Sequence, residues 1–322
     1  MNGGEIAARV IQAHNIDAMF TLIGGHISPI LVGAKKLGIR VVDTRHEVNA
    51  VFAADAWARL KGKPGVAAVT AGPGVTNTVT ALRNALMAES PLVLLGGATA
   101  TALKGRGALQ DIDQITLIRS NVKKAYRVTR VKDIAPVLTK AFHTAQEGIP
   151  GPVFVELPVD LLYDEKIIRE WHEEGAPKGN SLSAKFIRGY LKYHVNRLLK
   201  DNDKVKIPAP LKIHTHSISQ SLVDKIRTQI ENAERPLILA GSQTVLQAQK
   251  ANEISNALES LGVPVYLSGM ARGLLGATNA LQFKQKRKDA LKEADLIILL
   301  GVPADFRLNY GAHINRNAYQ IN

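Results

Sequence analysis

Val41-Val42-Asp43-Thr44-Arg45-His46-Glu47, followed at once by Ala50-Val51-Phe52-Ala53-Ala54-Asp55-Ala56, decides the fold class. An apolar strand delivers a carboxylate, Glu47, to its carboxyl end, and the helix that begins there carries alanines that let another element pack closely. A second strand, Val66-Ala67-Ala68-Val69-Thr70, runs into Ala71-Gly72-Pro73-Gly74-Val75-Thr76-Asn77. The glycines of that turn permit close backbone approach, and the helix after it offers free N–H groups. Two strand ends therefore converge on one site.

Outward from this pair the same unit repeats. The spacing predicts helices over 4–14, 28–37, 48–60, 76–88 and 133–145, alternating with strands over 18–22, 40–43, 66–70, 92–96 and 153–157. Strand–helix repeats separated by glycine-bearing turns imply a parallel sheet with right-handed crossovers, hence a doubly wound α/β domain over 1–164. From 165 to 220 the periodicity weakens, which reads as a linker with one amphipathic helix over 184–199. Two readings of that helix stand, packing on its own protein or lying on a membrane surface. A second α/β unit is expected over 221–322, with strands at 236–241, 263–267 and 296–301 and helices at 221–233, 246–261 and 284–293.

The 322 residues suffice for two domains with separate cores. Hydrophobic content of 46% with only 5% aromatic residues suits small helices packed on parallel strands. The absence of cysteine excludes disulfides, thiolate catalysis and cysteine-ligated metals. A net charge of +13 suits an anionic cofactor or a CoA thioester; without interleaved aromatics or a recognition helix it does not indicate nucleic-acid binding. No apolar run approaches the ~20 residues that span a bilayer, so the chain as written reads as soluble and cytoplasmic.

Thr21-Leu22-Ile23-Gly24-Gly25-His26-Ile27-Ser28-Pro29, Thr44-Arg45-His46-Glu47 and the Gly72-Pro73-Gly74 turn together resemble the pyrimidine-binding domain of thiamine-diphosphate enzymes in the acetolactate synthase superfamily, nearest its animal, 2-hydroxyacyl-CoA lyase-type members. The likeness runs from Gly3 to about Tyr163, including Gly151-Pro152-Val153-Phe154-Val155-Glu156-Leu157-Pro158, and resumes from about Arg235, where Ser268 to Gly276 and Asp305 to Gly311 resemble the Rossmann-like central domain. It implies a thiamine-diphosphate-dependent carbon–carbon lyase or ligase acting on an acyl or 2-hydroxyacyl-CoA substrate, assembled as a homodimer or homotetramer. Glu47 would activate the cofactor's aminopyrimidine by a hydrogen bond to its N1′ atom. Gly25, His26, Pro73, Gly74, Asn77 and Gln110 match positions that face the cofactor, although His26 also reads as a helix-entry residue with a satisfied imidazole. Leu109 stands where many relatives carry Phe.

The resemblance also implies Mg²⁺, whose ligands would lie in a third domain with a Gly-Asp-Gly sequence that has no counterpart here; the central domain reads as incomplete because the sequence stops at Asn322, where the family would be entering another strand. The chain by itself is then expected to be inactive. FAD or ADP in the central domain is open but unsupported by Arg272 and Arg307 alone. Family members carry a hydrophobic N-terminal anchor, so association with the endoplasmic reticulum through a segment not in this sequence is compatible with the resemblance. The rival reading is a truncated, non-catalytic paralogue that pairs with another subunit or holds a nucleotide.

Overall fold

In the computed structural model, which describes residues 1–214 and 217–322, helix and strand alternate from the start: α1 (Gly3–Ala13), β1 (Ala18–Leu22), α2 (Ser28–Lys36), β2 (Arg40–Asp43), α3 (Glu47–Lys61), β3 (Gly65–Val69), α4 (Pro73–Thr76), α5 (Val79–Met87), β4 (Leu92–Ala98), α6 (Gln114–Ile118), β5 (Lys124–Arg127), α7 (Ile134–Gln146), β6 (Pro152–Pro158), α8 (Glu165–Glu174) and α9 (Leu182–Leu199). The six strands pair in parallel in the order β2-β1-β3-β4-β6-β5. Successive strand residues face opposite sides, and the sheet has a core on each. Val66, Ala68, Val93, Leu95, Val153 and Val155 point toward α1, α2 and α7, while Ala67, Val69, Leu92, Leu94 and Phe154 point toward α3, α5 and α6. This is the doubly wound α/β architecture expected, and its central strands are fully buried.

Capping explains several boundaries. Asn2 accepts the Glu5 N–H and starts α1, and Gly62, in the left-handed conformation, closes α3. The expected helix over 76–88 divides into α4 and α5. There Thr78 donates both its N–H and its hydroxyl to the Val75 carbonyl, a local turn that competes with continuous helix. β5 lies at the sheet edge, with exposed ends and two half-exposed middle residues, and carries no apolar run, which is why no strand was expected there.

The stretch expected as a linker contains α8 and α9. Ile168 of α8 and Val195, Leu198 and Leu199 of α9 join the first unit's core, so this unit spans Met1–His214 and the second Thr215–Asn322. The amphipathic helix expected over 184–199 is α9; its C-terminal Val195, Leu198 and Leu199 pack on its own protein, while Phe186, Ile187 and Tyr190 stay exposed. Thr215 and His216, within the 165–220 stretch, lie outside the described residues. Among the described residues no helix is long and apolar enough to cross a membrane.

The second unit comprises α10 (Gln220–Asn232), β7 (Pro236–Ala240), α11 (Ala251–Leu261), β8 (Val265–Leu267), β9 (Gln282–Phe283), α12 (Arg287–Glu293), β10 (Leu296–Leu300) and β11 (Tyr319–Ile321). Its parallel sheet runs β11-β10-β7-β8-β9, with Leu239 and Ile297 in one core and Ile238 and Ile298 in the other. The helix expected from 246 begins at Ala251, after two short 3-10 turns, and the one expected from 284 begins after Lys286, whose φ of 55° interrupts right-handed helix.

Candidate active site

β1 lies between β2 on one side and β3 on the other, so the chain reverses its direction of winding there. Loops leaving the carboxyl ends of such strands diverge and open a crevice, the usual place for a ligand in an open parallel sheet. The β1–α2 turn carries Gly24, Gly25 and His26, and the β3–α4 turn carries Thr70 to Gly74. His26 Nδ1 lies 3.1 Å from Thr70 Oγ1, which joins the two turns. Burial holds the half-buried His26 imidazole below its ordinary pKa, so it is neutral at pH 7.

Glu47 enters from the third direction, at the first position of α3. His46 caps this helix, its Nδ1 accepting the Val48 N–H at 3.2 Å, and so fixes where the Glu47 side chain departs. The carboxylate is buried, with 7% of the residue exposed. Asn77 Nδ2 donates to its Oε2 at 3.0 Å. Oε1 faces Gly74, where a Cβ would stand 3.5 Å from it and 2.8 Å from Thr70 Cγ2. Gly74 thus lets α4 pack closely on Thr70, with the carboxylate in ordinary contact beside it. Gly72 is required for a different reason: its φ is +60°, and a Cβ there would meet Gln110 at 2.8 Å.

The expected site residues therefore gather around one turn. Glu47, Gly74 and Asn77 are in direct proximity, and Pro73 supplies the first helical position of α4. His26 joins them through Thr70. Gln110, itself at φ +62°, presses its backbone and Cβ against Gly72. Gly25 is exposed, with open space where a Cβ would be, and contributes its carbonyl, which accepts from Tyr163 Oη at 2.7 Å.

Behind the turn stands a residue that sequence reasoning missed. Gln114, 1% exposed, accepts the Gly72 N–H at 2.8 Å and donates Nε2 to the Gly97 carbonyl at 3.0 Å and to Glu156 Oε2 at 3.2 Å. Glu156 is buried in β6 and paired with Lys104 and Arg127. The one available signal was a carboxylate in an otherwise apolar strand; a glutamine opening a short helix reads as solvated. Replacing Gln114 with Leu leaves the Gly72 N–H and the Gly97 carbonyl buried and unpaired. We expect it to destabilise the first unit by about 1–3 kcal/mol, measured by urea unfolding; an unchanged midpoint would show that the turn holds its shape without the amide.

Next to His26 opens a cleft of about 400 Å³, walled by Ala100, Leu103, Leu109, Trp171 and Leu191. The arrangement offers a buried acid held by an amide, a glycine-floored backbone turn and a neutral imidazole beside an apolar cleft. It can bind and protonate or deprotonate a heterocyclic nitrogen at one end and receive an acyl group at the other.

The chain has clear relatives among known proteins. Residues 1–117 match the family described as thiamine pyrophosphate enzyme, N-terminal TPP binding domain, and residues 223–321 match its central domain. The chain is 51% identical over 318 residues to 2-hydroxyacyl-CoA lyase 2 of Danio rerio, covering 98% of this chain and 51% of that protein. The human protein of the same name is 49% identical, covering 98% and 50%. A probable acetolactate synthase of Mycobacterium bovis is 32% identical over 311 residues, covering 97% and 50%. The chain thus spans about half the length of the curated relatives it matches.

Proposed function

Since this chain belongs to the thiamine pyrophosphate enzymes and carries their N-terminal and central domains, we propose that it forms part of a carbon–carbon lyase that cleaves 2-hydroxyacyl-CoA thioesters, with Glu47 as the residue that activates the cofactor. The observation that carries this reading is the buried Glu47 carboxylate, held through Oε2 by Asn77 and open toward Gly74 through Oε1. Thiamine diphosphate, when bound, supplies the electron sink for cleaving the bond next to a carbonyl.

The residues present fit that group. Gly72 and Gly74 let the turn pack closely on Gln110 and Thr70 with no side chain of its own, Glu47 provides a carboxyl for a ring nitrogen, and Asn77 keeps that carboxyl in place. Glu47 would hold or pass the proton at Oε1, and its burial limits the water that would compete for it. His26, neutral and at the mouth of the apolar cleft, would hydrogen-bond the substrate hydroxyl or thioester oxygen. Gln110, beside Gly72, lines a separate, smaller pocket with Lys104, Arg127 and Glu156. Mg²⁺ would be held by groups outside this chain. A homodimer or homotetramer belongs to the same proposal, and α3 leaves Phe52 and Leu60 exposed for a second chain.

The 2-hydroxyacyl-CoA substrate is favoured over pyruvate because relatives at about half identity carry the lyase name, against 32% for the acetolactate synthase. The test is an assay of the complete gene product with thiamine diphosphate and Mg²⁺, offering a 2-hydroxyacyl-CoA and pyruvate separately. Aldehyde and formyl-CoA release from the first supports the proposal; acetolactate from pyruvate alone would replace it.

A further inference from the structure

Apart from the Glu47 site, three side chains converge where β6 ends and α8 and α9 pass. Asp160, fully buried in the turn after β6, accepts the Thr101 N–H at 2.8 Å and the Thr101 hydroxyl at 2.6 Å, both on Oδ2. Its other oxygen, Oδ1, is buried without a hydrogen-bond partner. His172 of α8 places Nδ1 2.8 Å from the Ile168 carbonyl. A carbonyl only accepts, so that nitrogen carries the hydrogen and Nε2 presents a lone pair. His194 of α9 donates its Nε2–H, at 2.7 Å, to the same Thr101 hydroxyl, whose one hydrogen goes to Asp160, so its Nδ1 carries the lone pair. One ligand atom from each of the three lies within 4.8 Å of the other two.

We propose that Asp160, His172 and His194 bind one divalent transition-metal ion of the Zn²⁺ type. Two imidazoles and one carboxylate form a borderline nitrogen–oxygen donor set that suits Zn²⁺ over Mg²⁺ or Ca²⁺, which require more oxygen ligands. Metal–ligand distances of about 2.0–2.2 Å place tetrahedral ligand atoms about 3.4 Å apart. The observed spacing, within 4.8 Å, is wider than that, so the three side chains would draw together around the ion. The outer contacts are in place too: the Ile168 carbonyl orients His172, and Thr101 orients Asp160. A cation also satisfies the orphaned Oδ1, whose burial otherwise carries a desolvation cost.

Three protein ligands leave a fourth position for water or a ligand oxygen. Because His172 also lines the cleft beside His26, the ion would sit in the cleft wall and clip α8 and α9 to the end of β6. This site is separate from the cofactor's Mg²⁺ and does not rest on the proposed lyase activity.

The test titrates the metal-free chain with Zn²⁺ and Co²⁺. Uptake of one equivalent, with a visible Co²⁺ band of tetrahedral intensity and a raised melting temperature, is expected. His172→Ala and His194→Ala should each weaken Zn²⁺ binding at least tenfold, as should the isosteric Asp160→Asn, while His313→Ala in the second unit leaves it unchanged. Circular dichroism verifies that each variant is folded. No uptake by the folded chain, or uptake that persists in the His172→Ala/His194→Ala double variant, would overturn the proposal and leave the three groups as a hydrogen-bonded cluster only.

Discussion

Replacing Glu47 with Gln is expected to lower turnover of the complete enzyme by about 10²–10⁴-fold, the usual contribution of a positioned general acid or base. The substitution keeps the length and volume of the side chain. A glutamine carbonyl still accepts from Asn77 Nδ2, and nothing near Gly74 is crowded, so α3 keeps its first turn. What disappears is the oxygen that can hold a proton or a negative charge. Melting temperature and far-ultraviolet circular dichroism should therefore match the parent while the rate collapses. A rate within tenfold of the parent would remove Glu47 from the mechanism. Asn77→Ala provides the contrast: the carboxyl remains but loses its anchor, so the rate should fall less than in Glu47→Gln.

The largest stability effect is expected at Phe154. Its ring is fully buried in β6 and packs over β4 at Gly96, where a Cβ would lie 2.4 Å from the ring carbon Cε2. The flanking surface includes Val75 and Leu82, both without exposed area, so the surroundings cannot collapse fully into the space a smaller residue leaves. Phe154→Ala should cost about 3–5 kcal/mol, from lost transfer energy and the cavity together. Both tryptophans, Trp57 and Trp171, belong to the first unit, so their fluorescence follows that unit's unfolding without a contribution from the second. A shift in urea midpoint equivalent to less than 1 kcal/mol would mean that neighbouring side chains refill the site.

The fold and the centre of the site were legible for physical reasons that differ by element. Buried parallel strands must be apolar along their whole length, so 66–70, 92–96 and 153–157 announce themselves as short apolar runs. Glu47 stood out because it follows the short Val41-Val42 strand by a few residues and opens an alanine-rich helix, so chain continuity places it at a strand end. β5 was not legible, since an edge strand with its neighbours partly in solvent needs no apolar pattern. α8 was not legible either: ten residues that bury only Ile168 leave a faint stripe in a charged stretch.

By itself, then, the sequence determined the two parallel-sheet units and the approach of Glu47 to the Gly72-Pro73-Gly74 turn, because local periodicity and turn chemistry act over neighbouring residues. Only the tertiary structure decided that Asn77 grips the Glu47 carboxylate across 30 residues, that Gln114 ties Gly72 to Gly97 and Glu156, and that Asp160 meets His172 and His194. These partners are polar residues on separate elements, and no periodicity links them. Their pairing follows from the strand order, which carries chemically unremarkable side chains to one end of a sheet, where burial requires each polar atom to find a partner.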